Sequence, residues 1–144
     1  MYTPKHFTCD DQIILKKIVS DHGFATLISN DVTTGVPMVT HLPMQLLDNR
    51  LVGHMARPNP HWKIFDGEIK STAIFHGPHS YISPTWYKSE GLVPTWNYAT
   101  VHVTGTPRAI DDLGELKTIL NDLSAQYEGT DPDAWSPGVL DEKK

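Results

Sequence analysis

Ser71–Ser83, STAIFHGPHSYIS, and Pro94–Pro107, PTWNYATVHVTGTP, decide the fold. Both are rich in β-branched and aromatic residues and bounded by turn formers, so each reads as a long strand. Gly77-Pro78 interrupts the first, which predicts a bulge or a bend in a curled sheet. Trp96, Tyr98, Val101 and Val103 form the body of the second. Upstream, Phe24–Ser29 is a compact apolar run after Gly23, and Asn30–Gly35 has the chemistry of a hairpin turn. Val36–Leu42 returns, Leu46–Asn49 turns, and Leu51–Ala56 makes a third strand ending at Arg57-Pro58, where proline removes a ladder donor. Asn59–Trp62 is then a loop or a short helical turn.

Helical spacing flanks this β section. Ile13, Ile14 and Ile18 share a face over Gln12–Asp21, with Asp10 or Asp11 as N-cap. Leu113, Leu116, Ile119, Leu120 and Leu123 recur at helical spacing behind Asp111-Asp112, so Leu113–Tyr127 is a second helix. The tail from Glu128 reads as irregular. The fold class is therefore mainly β with flanking helices (α+β). Five or six strands in a curled antiparallel sheet suit a small barrel better than a sandwich, because closure removes exposed edges. The count is one or two strands short of that closure.

A chain of 144 residues holds one ordinary core, so residues 1–144 are expected to form a single domain. Cys9 is the only cysteine and cannot form an internal disulfide, which suits a reducing compartment. Met1–Asp10 has neither the basic start nor the apolar run of a signal peptide, and no stretch approaches the roughly 18 apolar residues of a membrane span. The expected location is cytoplasmic, with no membrane partner. A formal net charge of -5 does not favour attraction to nucleic acid or anionic lipid.

Eight histidines bring a metal site into question, yet they lie in separate segments without ligand spacing, so no metal is expected. The chain has no Gly-x-Ser-x-Gly elbow and no glycine-rich phosphate loop, and no catalytic residue can be assigned. A nucleotide-like ligand would rest on strand ends and side chains. Arg57, beside Pro58, Asn59 and Pro60, is either a bidentate phosphate clamp or an ordinary surface arginine. Trp86, Tyr87, Trp96 and Tyr98, near Thr95 and Asn97, either flank a flat heterocycle or belong to a core or dimer interface.

Five segments in register, MYTPKHF, THLPM, GHMARPNPHW, FHGPHSYISPTWY and VPTWNYATVHVTG, resemble the PaiB-type family of FMN-binding negative transcriptional regulators. The resemblance implies a split β-barrel related to the pyridoxamine-phosphate oxidase and flavin reductase folds. It also implies a homodimer holding two FMN molecules at its interface. By the same resemblance Arg57 holds the flavin phosphate, and His54, Met55 and Ala56 line the isoalloxazine or ribityl chain. His41, Leu42 and Pro43 contact the ring through backbone or side chain. Trp96, Asn97 and Tyr98 reach across the dimer, and His76 and Tyr81 join the site. Family members continue beyond the position of Lys144 with further strand-forming, lysine-rich sequence, so by the resemblance either this sequence is a fragment or the split barrel is C-terminally truncated, without strands that help close it.

Two functions follow from the resemblance. One is repression of transcription, although Leu113–Tyr127 sets Lys117 against Glu115 and Asp122 and does not form a basic recognition helix. The alternative is a flavin-dependent oxidoreductase or flavin reductase, with His79 or His102 shuttling a proton beside the cofactor. Related barrels also bind haem, but no histidine here stands out as an axial ligand.

Overall fold

A computed structural model describes residues 1–129 together with 131, 133 and 135; most of the tail expected to be irregular lies outside the described residues. Among the described residues five strands form one antiparallel sheet: β1 (Phe24–Ser29), β2 (Met38–Leu47), β3 (Arg50–Gly53), β4 (Ser71–Ile82) and β5 (Thr95–Gly105), in the order β3-β2-β1-β4-β5. Two helices flank it, α1 (Gln12–Asp21) and α2 (Leu113–Glu128). Asp11 caps α1, accepting from the amides of Ile13 and Ile14, and Asp112 caps α2, accepting from that of Glu115. This is the mixed α+β arrangement expected, and it is consistent with a split-barrel-like fold.

Strand alternation fixes two faces. The inner face carries Ala25, Leu27, Leu42, Met44, Ala73, Phe75 and Val101, and Val19 of α1 completes that buried core. Leu15 and Ile18 of the same helix pack against it. On the outer face α2 packs on β3, and Gln45 donates from Nε2 to the Asp122 carbonyl and to Gln126 Oε1. Outer-face rows then run His41–Thr26–Ile74–His102 and Val39–Ile28–Thr72–Thr104 across β2, β1, β4 and β5.

The largest boundary differences from the sequence reading are in β2 and β3. β2 begins later and runs through Leu47, because the turn narrows to Asp48-Asn49, where Asp48 takes a φ of 55°. Leu46 and Leu47 are thereby free to pair with Leu51 and Arg50. β3 stops at Gly53, short of Ala56. A Cβ on Gly53 would meet the Pro43 carbonyl at 2.9 Å, so Pro43 turns its backbone polar atoms toward β3. Its nitrogen carries no hydrogen, and the ladder ends at the Met44–Gly53 pair. The short helical turn after Asn59 is a 3-10 segment, Pro60–Ile64, capped by the Asn59 side chain.

Candidate cofactor site

The bulge in β4 determines what the outer face presents. His76 pairs with Thr100 but His79 pairs with Tyr98, so three steps along β4 match two along β5. His76, His79 and Tyr81 therefore share one face with Trp96 and Tyr98, which an unbroken strand would have divided. The His79 and Trp96 rings stack at 5.7 Å, and Tyr81 meets Trp96 at 6.2 Å. Trp96 is 54% exposed and Tyr98 65% exposed, lining with His76 and His79 an open depression of about 280 Å³. Asn97 pairs with Ser80 and has the opposite parity, so its side chain belongs to the other face.

A second hollow, about 360 Å³, opens where α2 stops covering the outer face. Phe24, Pro43 and His54 form its sheet wall and Leu123, Tyr127 and Glu128 its helical wall. His41 is beside it, its ring 6.4 Å from Phe24 and its Nδ1 3.1 Å from Thr26 Oγ1. Leu42, between His41 and Pro43, is only 4% exposed and points into the core, which leaves its backbone as the available part. Met55 likewise packs on the core.

Arg57 lies in the turn between β3 and the 3-10 segment. Its guanidinium is over the Trp62 ring at 5.9 Å, with Asp111 at 3.9 Å as a loose ionic neighbour and a side chain 74% exposed. Its backbone is better held: Trp62 Nε1 donates to the Arg57 carbonyl at 3.1 Å, and the Asn59 amide donates to the Ala56 carbonyl at 2.9 Å.

Beneath this turn is a group that sequence reasoning missed. His61 is 0% exposed, with Nε2 2.7 Å from Ser29 Oγ and Nδ1 2.8 Å from Thr40 Oγ1. Ser29 in turn hydrogen-bonds Ser71, and Asn59 Nδ2 donates to Thr40 Oγ1. Burial without a carboxylate partner among these contacts pushes the His61 pKa below the usual histidine range. The available signal was the parity of Ser29, a polar residue in phase with Ala25 and Leu27. His102 is also shifted down, first by burial and then by the N-terminal ammonium and His76.

Among the described residues, no group of three or more histidine, cysteine, aspartate or glutamate side chains is placed to hold a metal ion, and no helix is long and apolar enough to cross a membrane. Residues 1–144 match a protein family described as "Putative FMN-binding domain". The chain is 34% identical over 150 residues to Protease synthase and sporulation protein PAI 2 of Bacillus subtilis, an alignment covering 98% of this chain and 70% of that protein. It is 36% identical over 160 residues to Uncharacterized protein YKL070W of Saccharomyces cerevisiae, covering 92% and 94% respectively. With a match along its whole length, the chain belongs to this FMN-binding-domain family, the PaiB type that its five motifs resemble.

Proposed function

We propose that the chain binds FMN as a homodimer and acts in the cytoplasm as a PaiB-type negative regulator. The observation that carries this reading is the uncovered outer face: Trp96, Tyr98, Tyr81 and Phe24 stand exposed on three adjacent strands. A contiguous aromatic surface of this kind is characteristic of an interface or a ligand site. The exposed free thiol of Cys9 suits a reducing location.

The residues present fit the cofactor. A flavin phosphate needs a cation, and Arg57 offers one that is exposed, loosely paired and fixed at its backbone. The isoalloxazine ring needs a flat apolar surface with a few polar atoms, which Phe24, His41, Pro43 and His54 supply on one side and Trp96, Tyr98 and His76 on the other. When bound, FMN would supply reversible one- or two-electron redox chemistry. The protein's part is to hold the phosphate, shield one ring face from water, and couple flavin occupancy to the dimer interface.

An absorption spectrum before and after FMN addition, taken with a solution mass, tests this reading. Flavin bands with a dimer mass are expected; a colourless monomer that ignores FMN overturns it. Arg57→Ala is expected to weaken FMN binding by about 1–3 kcal/mol, the range for a lost charge-assisted hydrogen bond. Regulation has its own measurement, salt-sensitive retention of a promoter fragment, because a net charge of -5 gives no general attraction to DNA.

A further inference from the structure

We propose that His61 is a positioning residue that presents Arg57 to the flavin phosphate through a buried hydroxyl–imidazole clasp. The inference rests on the proposed FMN reading and extends it to residues that do not touch the cofactor. Ser29 is the last residue of β1, Thr40 belongs to β2 and Ser71 opens β4, so the clasp ties three strands to the 3-10 segment carrying His61. His61 is the fixed point of that segment, with both ring nitrogens bonded to strand hydroxyls. In either neutral tautomer one nitrogen donates and the other accepts, and hydroxyls can serve both roles.

The neighbours of His61 carry the constraint outward. Asn59 accepts from the His61 amide at 2.9 Å, bonds Thr40, and holds the Ala56 carbonyl through its own amide. On the other side Trp62 holds the Arg57 carbonyl and lies beneath its guanidinium. The turn from Ala56 to Trp62 is thus pinned to the sheet at His61, and Arg57 projects from the pinned turn. A cation held this way gives up less freedom when it meets a phosphate than one on an untethered loop. The Ser29–His61 pair is not a nucleophilic site, because Ser29 is 1% exposed and His61 is fully enclosed.

Riboflavin, which lacks the phosphate, separates positioning from general damage. FMN and riboflavin affinities are measured by flavin fluorescence for the wild type, Arg57→Ala, His61→Leu, Thr40→Val and the Arg57→Ala/Thr40→Val double variant. Thr40→Val and His61→Leu are expected to weaken FMN roughly tenfold and leave riboflavin within about twofold. Thr40→Val should add nothing to Arg57→Ala. If His61→Leu does not fold, Thr40→Val decides by the same comparison. Equal weakening of both ligands assigns His61 a purely structural role and overturns the inference. Loss of FMN preference in Arg57→Ala alone also overturns it while leaving the FMN reading intact. FMN preference retained in Arg57→Ala removes the phosphate assignment itself, and the positioning role falls with it.

Discussion

Thr40→Val tests whether the buried clasp also holds the fold together. Valine keeps the branched shape of threonine, so no cavity term enters, and the change removes one hydroxyl with two partners. Those partners are His61 Nδ1 at 2.8 Å and Asn59 Nδ2 at 3.2 Å. His61 is fully enclosed, so water cannot replace the lost contact, and a buried unsatisfied nitrogen costs about 1–3 kcal/mol. Asn59 is partly exposed and can turn to solvent, adding little. A loss of about 2 kcal/mol is a substantial part of the roughly 5–15 kcal/mol that a domain has. With a urea dependence of about 1–3 kcal/mol per molar, it moves the unfolding midpoint down by on the order of 1 M at unchanged slope. Protein concentration is held fixed, because association shifts apparent stability. Thr26→Val is the control: its hydroxyl bonds His41 Nδ1 at 3.1 Å on the open face, where water substitutes, and its midpoint should hardly move. Equal shifts for the two variants would refute the reasoning, since burial is the only difference it relies on.

Trp96→Glu places a charge on the open aromatic face; in sedimentation velocity it should convert the proposed dimer into a folded monomer, and an unchanged mass would remove this face from the interface. Acidification should weaken the fold in a defined window. The folded pKa of His61 lies below the ordinary value of 6.5, so stability is full above that value and falls as the unfolded chain alone takes up the proton, levelling off only below the folded pKa. His102 adds in the same sense, and urea midpoints measured from pH 8 downward should decline through this range more steeply in the wild type than in His61→Gln. Gly23→Ala should lower the melting temperature, because its Cβ would lie 2.7 Å from the Tyr127 hydroxyl and 3.0 Å from the Met44 carbonyl, a clash worth about 1–3 kcal/mol.

Local chemistry was legible in the sequence wherever one residue type imposes one geometry. The aspartate caps of both helices, the apolar run of β1 and the break at Gly77-Pro78 follow from such rules, and they mark four of the elements. Strand ends were less legible, because they depend on the partner strand. Leu51–Ala56 looks uniformly strand-like until Pro43, ten or so residues earlier, turns its hydrogen-free nitrogen toward it. The site divides in the same way. Arg57 and the histidines can be nominated from motif and charge, but their faces cannot, since parity is a property of register.

That dependence makes the bulge decisive for the candidate site. Were β4 regular through Gly77 and Pro78, His79 and Tyr81 would turn to the side that α1 covers, away from Trp96 and Tyr98. With the bulge, His76, His79, Tyr81, Trp96 and Tyr98 gather on the side that α2 leaves open, because α2 is committed to β3 and to Gln45 at the far end of the sheet. The chain's own helices therefore satisfy the inner face and one end of the outer face. In the proposed homodimer a second copy would cover the rest: a two-fold axis through this face would set aromatic against aromatic and bring each His76–Trp96 depression near a partner's strands. In the proposed complex the Arg57 turn, anchored through His61 and Trp62, would take the charged end of the ligand and the aromatic face its flat end.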